Sequence, residues 1–281
     1  ENWQTELRVS SKTSLVLLKN GLINFKYMGR LKDKVAIITG GAMGMGAVTA
    51  ELFAKEGAKV IIADFNEEKG LEQTNKIKAS GGICEFIKTD VSKSEDVQQM
   101  VKFTVEKFGR LDVAINNAAI TPDDKALAEF DETYWDRLMS VDLKGVALCL
   151  KYEIQQMLTQ GSGGSIVNTS SVSGIRPQPL TPAYITAKHA VIGLTKSAAM
   201  DYSPKGIRVN SVAPGAIDTP MLRGALEQFG FDPVAYAKQL SMLGRFAQAE
   251  EVAHANLWLA SDDSSFVTGA TYAVDGGYTA M

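Results

Sequence analysis

In 281 residues the chain holds two cysteines, Cys84 and Cys149, and two histidines, His189 and His254. With no CxxC and no partnered His spacing, a zinc site or a disulfide framework is excluded as a reading, and a reducing, cytoplasmic setting fits best. Both thiols are expected to pack as small apolar groups. Long apolar runs are missing too. Runs such as those at 15–18, 35–38 and 60–63 span four residues each, well short of the roughly 18 to 20 that a membrane-spanning helix needs. Positive charge is not in excess, because 29 Lys and Arg stand against 32 Asp and Glu for a net charge of −3. No global field exists to hold a nucleic-acid backbone or an anionic membrane. What is present is the ordinary mixture of a folded chain, with 45% hydrophobic and 22% charged residues, enough for a sizeable core.

From Lys34 onward, short β-branched runs alternate with longer amphipathic stretches, as βαβ units on a parallel sheet require. Strands are predicted at 35–39, 59–63, 83–88, 113–115, 165–169, 208–212 and 271–274. Helices are predicted near 45–56, 67–79, 94–108, 131–159, 183–203 and 249–260. The expected fold is α/β, a single doubly wound, Rossmann-like domain over 28–281, with a seven-stranded parallel sheet and helices on both faces. Residues 1–27 show neither period and are expected to be an appended or disordered extension. The apolar stretch at about 219–245 has no single clean helical period. It reads as a substrate lid, with a packed helix pair as the alternative.

The segment Val35-Ala-Ile-Ile-Thr39-Gly40-Gly41-Ala42-Met43-Gly44-Met45-Gly46 runs from a buried strand through glycines into a helical pattern. Gly40 permits a tight turn, Gly44 lets backbone approach a pyrophosphate, and Gly46 allows close packing of helix on strand. The helix N-terminus then offers free N–H groups to phosphates. Eighteen residues after Gly46, the next strand ends at Asp64, where a carboxylate can accept the adenosine ribose hydroxyls and repel a 2′-phosphate. Phe65 and Asn66 follow, so no basic residue beside Asp64 compensates. The expected cofactor is therefore NAD rather than NADP.

Downstream, Ser171 closes a strand, Tyr184 follows 13 residues later, and Lys188 lies four residues beyond that. Tyr184 and Lys188 share a helix face. A tyrosine needs a neighbouring positive charge to exchange protons near neutral pH, and Lys188 supplies one. Ser171 can donate to a carbonyl at the carboxyl edge of the sheet, where such sheets hold their ligands.

With these residues the chain resembles the short-chain dehydrogenase/reductase family over 31–281. Thr39 to Gly46 matches its TGxxxGxG turn, Asp90-Val91 its adenine-contacting pair, and Asn116-Asn117-Ala118-Ala119 its NNAG segment with Ala in the last place. Ser171, Tyr184 and Lys188 match its Ser and YxxxK elements, 214–219 its PGxIxT segment, and 274–277 its closing DGG strand. The resemblance implies cofactor contacts from Gly40, Met43, Gly44, Met45 and Gly46, from Asp64 and Phe65, and from Asp90 and Val91. It implies further contacts from Asn117, Ala118 and Ala119, from Tyr184 and Lys188, and from Pro214, Gly215, Ile217 and Thr219. It also implies that Tyr184 is the general acid and base, that Lys188 binds the nicotinamide ribose and lowers the Tyr184 pKa, that Ser171 orients the reacting oxygen, and that the protein is a homotetramer.

One position departs from the family pattern. Val141-Asp142-Leu143-Lys144-Gly145 carries Asp142 where the family's V-N-x-x-G has the Asn that supports a water relay. Either the backbone there still holds the relay, or a buried carboxylate acts on Lys188; retained activity is expected. The functional expectation is an NAD(H)-dependent enzyme interconverting a secondary alcohol and a ketone on a small-to-medium, largely apolar or cyclic substrate, with no metal. The alternatives are a 3-oxoacyl-carrier-protein-type reductase and a non-catalytic NAD-binding protein. His189 points about 100° away from Lys188 and reads as structural, and Asp123-Asp124 after Pro122 reads as loop chemistry.

Overall fold

The computed structural model describes residues 29–281 and, before them, the backbone of two short strands, β1 (Leu15–Leu18) and β2 (Gly21–Asn24), paired antiparallel. The rest of the expected extension at 1–27 lies outside the described residues. Seven further strands follow: β3 (Val35–Thr39), β4 (Lys59–Asp64), β5 (Ile83–Lys88), β6 (Val113–Asn116), β7 (Gly164–Thr169), β8 (Ile207–Pro214) and β9 (Thr271–Val274). They form one parallel sheet in the order β5-β4-β3-β6-β7-β8-β9. The apolar run of β3 does not alternate because all five of its residues are buried, as a central strand covered on both faces demands.

The helices are α1 (Gly44–Lys55), α2 (Glu67–Ala79), α3 (Ser94–Phe108), α4 (Glu132–Leu138), α5 (Val146–Gln160), α6 (Pro182–Tyr202), α7 (Pro220–Phe229), α8 (Pro233–Leu240) and α9 (Ala249–Ala260). On one face of the sheet Phe53 of α1, Ile77 of α2 and Leu257 of α9 pack with Ile38 and Ile62. On the other, Met100 of α3, Ile154 of α5 and Val191 of α6 pack with Ile37 and Ile61. Cys84 and Cys149 are both free and buried in these layers, and burial pushes the Cys84 thiol up to about 11. Strand order reverses between β3 and β6, which opens a crevice at their carboxyl ends.

Two stretches differ from the sequence expectation. The helix predicted over 131–159 is interrupted: between α4 and α5, residues 139–145 wind as a π-helix. Such a bulge inserts extra backbone into a helix and re-aims its side chains, and here Asp142 is completely buried. The stretch at 219–245, expected as a lid or a packed helix pair, holds two short helices. The Thr219 and Asp232 side chains cap α7 and α8, a proline opens each, and Gly230 in the left-handed conformation (φ 64°) ends the first. Two helices on different axes account for the missing single period.

A buried polar layer lies beneath the carboxyl ends of β6 and β7. Asn116 Nδ2 donates to Glu153 Oε2 and to Asn168 Oδ1, both at 3.0 Å, and Asn168 Nδ2 donates to Thr195 Oγ1 at 2.9 Å. Glu153 Oε1 and Asn116 Oδ1 are both buried acceptors without a donor. Burial, opposed by the Asn116 bond, raises the Glu153 pKa from 4.5 to about 7, and a proton on Glu153 supplies a donor to this layer. The folded chain then binds more protons than the unfolded chain between those two values, so stability falls as pH rises from 4.5 through about 7. The group's contribution is about 3 kcal/mol, taking ~1.4 kcal/mol per unit. Glu153→Gln keeps a carbonyl acceptor, offers N–H donors and never ionises. It is expected to flatten the difference in urea-unfolding stability between pH ~5 and ~8; an unchanged difference would show that Glu153 is not the titrating group.

Candidate active site

The turn after β3 is built by its neighbours as much as by its glycines. Thr39 Oγ1 accepts from the backbone N–H groups of Asn117 (3.0 Å) and Ala118 (3.2 Å), and Asn117 Nδ2 donates to the carbonyls of Thr39 and Gly40 at 3.2 Å. Gly40 adopts φ +64°, and a Cβ there would come within 2.9 Å of the Ala118 backbone. At Gly46 a Cβ would collide with the Gly40 carbonyl oxygen, so its hydrogen is what lets α1 sit against the strand. The first turn of α1 has no acidic residue and no side-chain cap, which leaves its N–H groups available to an anion.

The Asp64 carboxylate accepts from Ala42 N (3.0 Å) on one oxygen and from Asn66 N (2.9 Å) on the other. The end of β4 is thereby fastened to the glycine turn. Asp90 is held in a similar way by Ser92, whose N–H and hydroxyl donate to Asp90 Oδ1. Against burial, these bonds and the nearby Lys93 keep the Asp90 carboxyl below its usual range.

Across the crevice, Ser171 follows β7 and caps a short 3-10 turn. Its Oγ accepts from Ser173 N at 3.1 Å, so its own proton is free to be donated. Pro182 opens α6, and the next two backbone N–H groups, of Ala183 and Tyr184, each donate to an oxygen of Asp123 at 3.0 Å. Asp123 therefore caps α6 from a loop some 60 positions upstream.

One turn along α6, Lys188 is buried, with its Nζ 5.2 Å from the Tyr184 ring centroid. The ammonium lies 3.1 Å from Asp142 Oδ2 and donates to the Thr169 carbonyl at 3.4 Å. Asp142 Oδ2 lacks an aligned hydrogen bond, so the contact is a close charge pair. Asp142 Oδ1 accepts from Ile120 N at 2.9 Å. Burial lowers the Lys188 pKa, but Asp142 and then Tyr184 more than reverse this, leaving it above the usual lysine value.

A cleft of about 1030 Å³ joins these parts. Of the residues singled out from the sequence, Gly40, Met43, Gly44, Met45, Asp64, Phe65, Asp90, Val91, Asn117, Ala118, Ala119, Ser171, Tyr184, Lys188, Pro214, Gly215, Ile217 and Thr219 all line it. Gly46 and Asp142 stand behind its wall. His189 is exposed and its Nδ1 lies 2.9 Å from the Ile185 carbonyl oxygen, away from the site. Sequence reading took Asp123 for loop chemistry and did not single out Glu153. The spacing of Asp123 from Pro182 carries no local signal, and Glu153 resembles any polar residue of an amphipathic helix.

The doubly wound parallel sheet thus sets the anion-ready glycine turn and the Ser171, Tyr184 and Lys188 side chains on one cleft. A family model described as Enoyl-(Acyl carrier protein) reductase matches residues 40–279. Similar proteins include the short chain dehydrogenase/reductase astE of Aspergillus oryzae, 49% identical over 248 residues, covering 88% of this chain and 95% of the relative. The 2,5-dichloro-2,5-cyclohexadiene-1,4-diol dehydrogenase of Sphingobium indicum is 44% identical over 255 residues, covering 90% of this chain and all of the relative. The crystal structure of levodione reductase superposes with a TM-score of 0.84 at 36% identity, covering 89% of this chain and 99% of that one. The chain belongs to the short-chain dehydrogenase/reductase family.

Proposed function

We propose that the protein is an NAD(H)-dependent dehydrogenase or reductase that interconverts a secondary alcohol and a ketone on a small-to-medium, largely apolar or cyclic substrate. The observation that carries this reading is the meeting of Ser171, Tyr184 and Lys188 in one cleft with the glycine turn and Asp64. The diol dehydrogenase relative, named for a ring alcohol, supports a cyclic substrate.

The nicotinamide, when bound, accepts or gives the hydride. Tyr184 takes the hydroxyl proton in oxidation and returns it in reduction. Ser171 donates its free proton to the substrate oxygen, and the Lys188 ammonium places positive charge beside the phenol on which negative charge develops. Asp142 keeps that ammonium charged by pairing with it in the interior. The free N–H groups of α1 would hold the pyrophosphate, and the fastened Asp64 carboxylate would receive the adenosine ribose.

This reading also places the enzyme in a reducing, cytoplasmic setting, in line with its two free thiols, and as a homotetramer, in line with the family resemblance. No helix among the described residues is long and apolar enough to cross a membrane. A 3-oxoacyl-carrier-protein substrate is less well supported, because members with that role commonly use NADP.

Turnover of cyclic alcohols and ketones measured in parallel with NAD, NADH, NADP and NADPH tests the proposal. The expected result is a preference for NAD of about 10²-fold, since a unit charge ~4 Å from Asp64 costs up to about 4 kcal/mol before screening. Asp64→Ser should erode that preference by raising NADP affinity. A clear NADP preference in the wild-type chain would overturn the role given to Asp64.

A further inference from the structure

The proposed reaction uses one side of the cleft and leaves the wall formed by α8 and the turn after β9 without a task. Met221, Leu222, Leu226 and Leu240 line this region with apolar surface. Tyr236 of α8 and Tyr278 after β9 line it as well, each partly buried. Neither phenol hydroxyl has a hydrogen-bond partner among the described residues. Burial, together with the Tyr278 phenol close by, raises the Tyr236 pKa, so its hydroxyl remains a donor throughout the neutral range.

Both rings are fixed in place. Tyr236 stacks on Phe231 with centroids 4.7 Å apart and planes 16° from parallel. The Arg176 guanidinium lies 4.9 Å from the Tyr278 ring centroid and donates to the Tyr278 carbonyl at 3.1 Å. The Asp275 carboxylate accepts from Gly277 N, Thr279 N and Thr279 Oγ1, closing the turn that carries Tyr278. The Met242 N–H donates to the Gly276 carbonyl at 2.9 Å and ties the chain after α8 to that turn. Arg176 sits just beyond the 3-10 turn that Ser171 caps. A short chain of contacts therefore links the turn that carries Tyr278 both to the chain after α8 and to the segment that follows Ser171.

Both hydroxyls stay accessible from the cleft and free to bond a ligand, and a mainly apolar pocket with a few placed polar groups uses them to orient its ligand. We propose that Tyr236 and Tyr278 bind a second oxygen of the substrate, on the side of the ring remote from the reacting carbon. The site then selects ring alcohols and ketones that carry two oxygens. This rests on the oxidoreductase reading above and specifies its substrate class.

The test compares kcat/KM for cyclohexanol and cyclohexane-1,4-diol in the wild-type chain and in a Tyr236→Phe, Tyr278→Phe double variant. Phenylalanine retains the ring, its stacking and the Arg176 contact, so the wall keeps its shape. After allowance for the diol's two reactive hydroxyls, the wild type is expected to favour the diol by roughly tenfold, the worth of a good hydrogen bond. In the variant the ratio should fall toward one, through a higher KM for the diol. Wild-type turnover of both alcohols with no preference, or a preference that survives in the variant, overturns this site alone. No turnover of either ring alcohol, or of the matching ketones, with either cofactor rejects the oxidoreductase reading and this site with it.

Discussion

Tyr184→Phe is expected to cut kcat by about 10²- to 10⁴-fold, the usual worth of a positioned general acid or base, while cofactor binding stays close to that of the wild type. The ring is kept, so the Lys188 contact over its face and the capped start of α6 persist. What is lost is the hydroxyl proposed to exchange the proton. Steady-state kinetics with a ring ketone, paired with fluorescence titration by NADH, separates the two effects. Turnover near the wild-type level would show that another group moves the proton, and lost NADH binding would show that the variant had disturbed the cofactor site instead.

Asp142→Ala is expected to destabilise the fold by about 3 to 5 kcal/mol, because it leaves the buried Lys188 charge with the Thr169 carbonyl and the Tyr184 ring but no carboxylate. Asp142→Asn should recover most of that loss. Its amide oxygen can still accept from Ile120 N or face the ammonium, and it installs the residue the family usually has. Urea unfolding of the three proteins checks the order, and equal stabilities would mean that the pair contributes nothing to folding. The Lys188 pKa lies above its ordinary value of 10.5 in the folded chain. Its contribution is therefore complete below 10.5 and is lost only as pH rises through the folded value. In the wild type, any break in the rate profile below that range belongs to another group. Without the carboxylate, burial is opposed by Tyr184 alone and moves the Lys188 titration downward.

The sheet was legible because parallel strands buried on both faces cannot alternate, and the short β-branched runs at 35–39 and 59–63 say so locally. The glycine turn was legible for the same reason: its chemistry is contained in eight consecutive residues. The features that sequence reading missed join distant positions. The Glu153 bond to Asn116 spans 37 residues and the Asp123 cap on Ala183 spans 60, and neither end looks unusual alone. The π-helical stretch at 139–145 escaped because the apolar pattern on either side averages to an ordinary helix. Asp142 was noticed as a departure from the family pattern, but its partner was settled only by the fold, which sets its carboxylate against Lys188.

The Asp123 cap has a consequence for how such an enzyme can change over generations. The loop that begins at Thr121 borders the cleft through Thr121, Pro122, Asp123 and Asp124, and its sequence is a natural place for new substrate preferences to arise. Residue 123 stands apart within it, since both of its oxygens hold the first turn of the helix that carries Tyr184, the phenol proposed to exchange the proton. Altering it to suit a new ligand would retune the chemistry in the same stroke, so this one loop position ties diversification to catalysis.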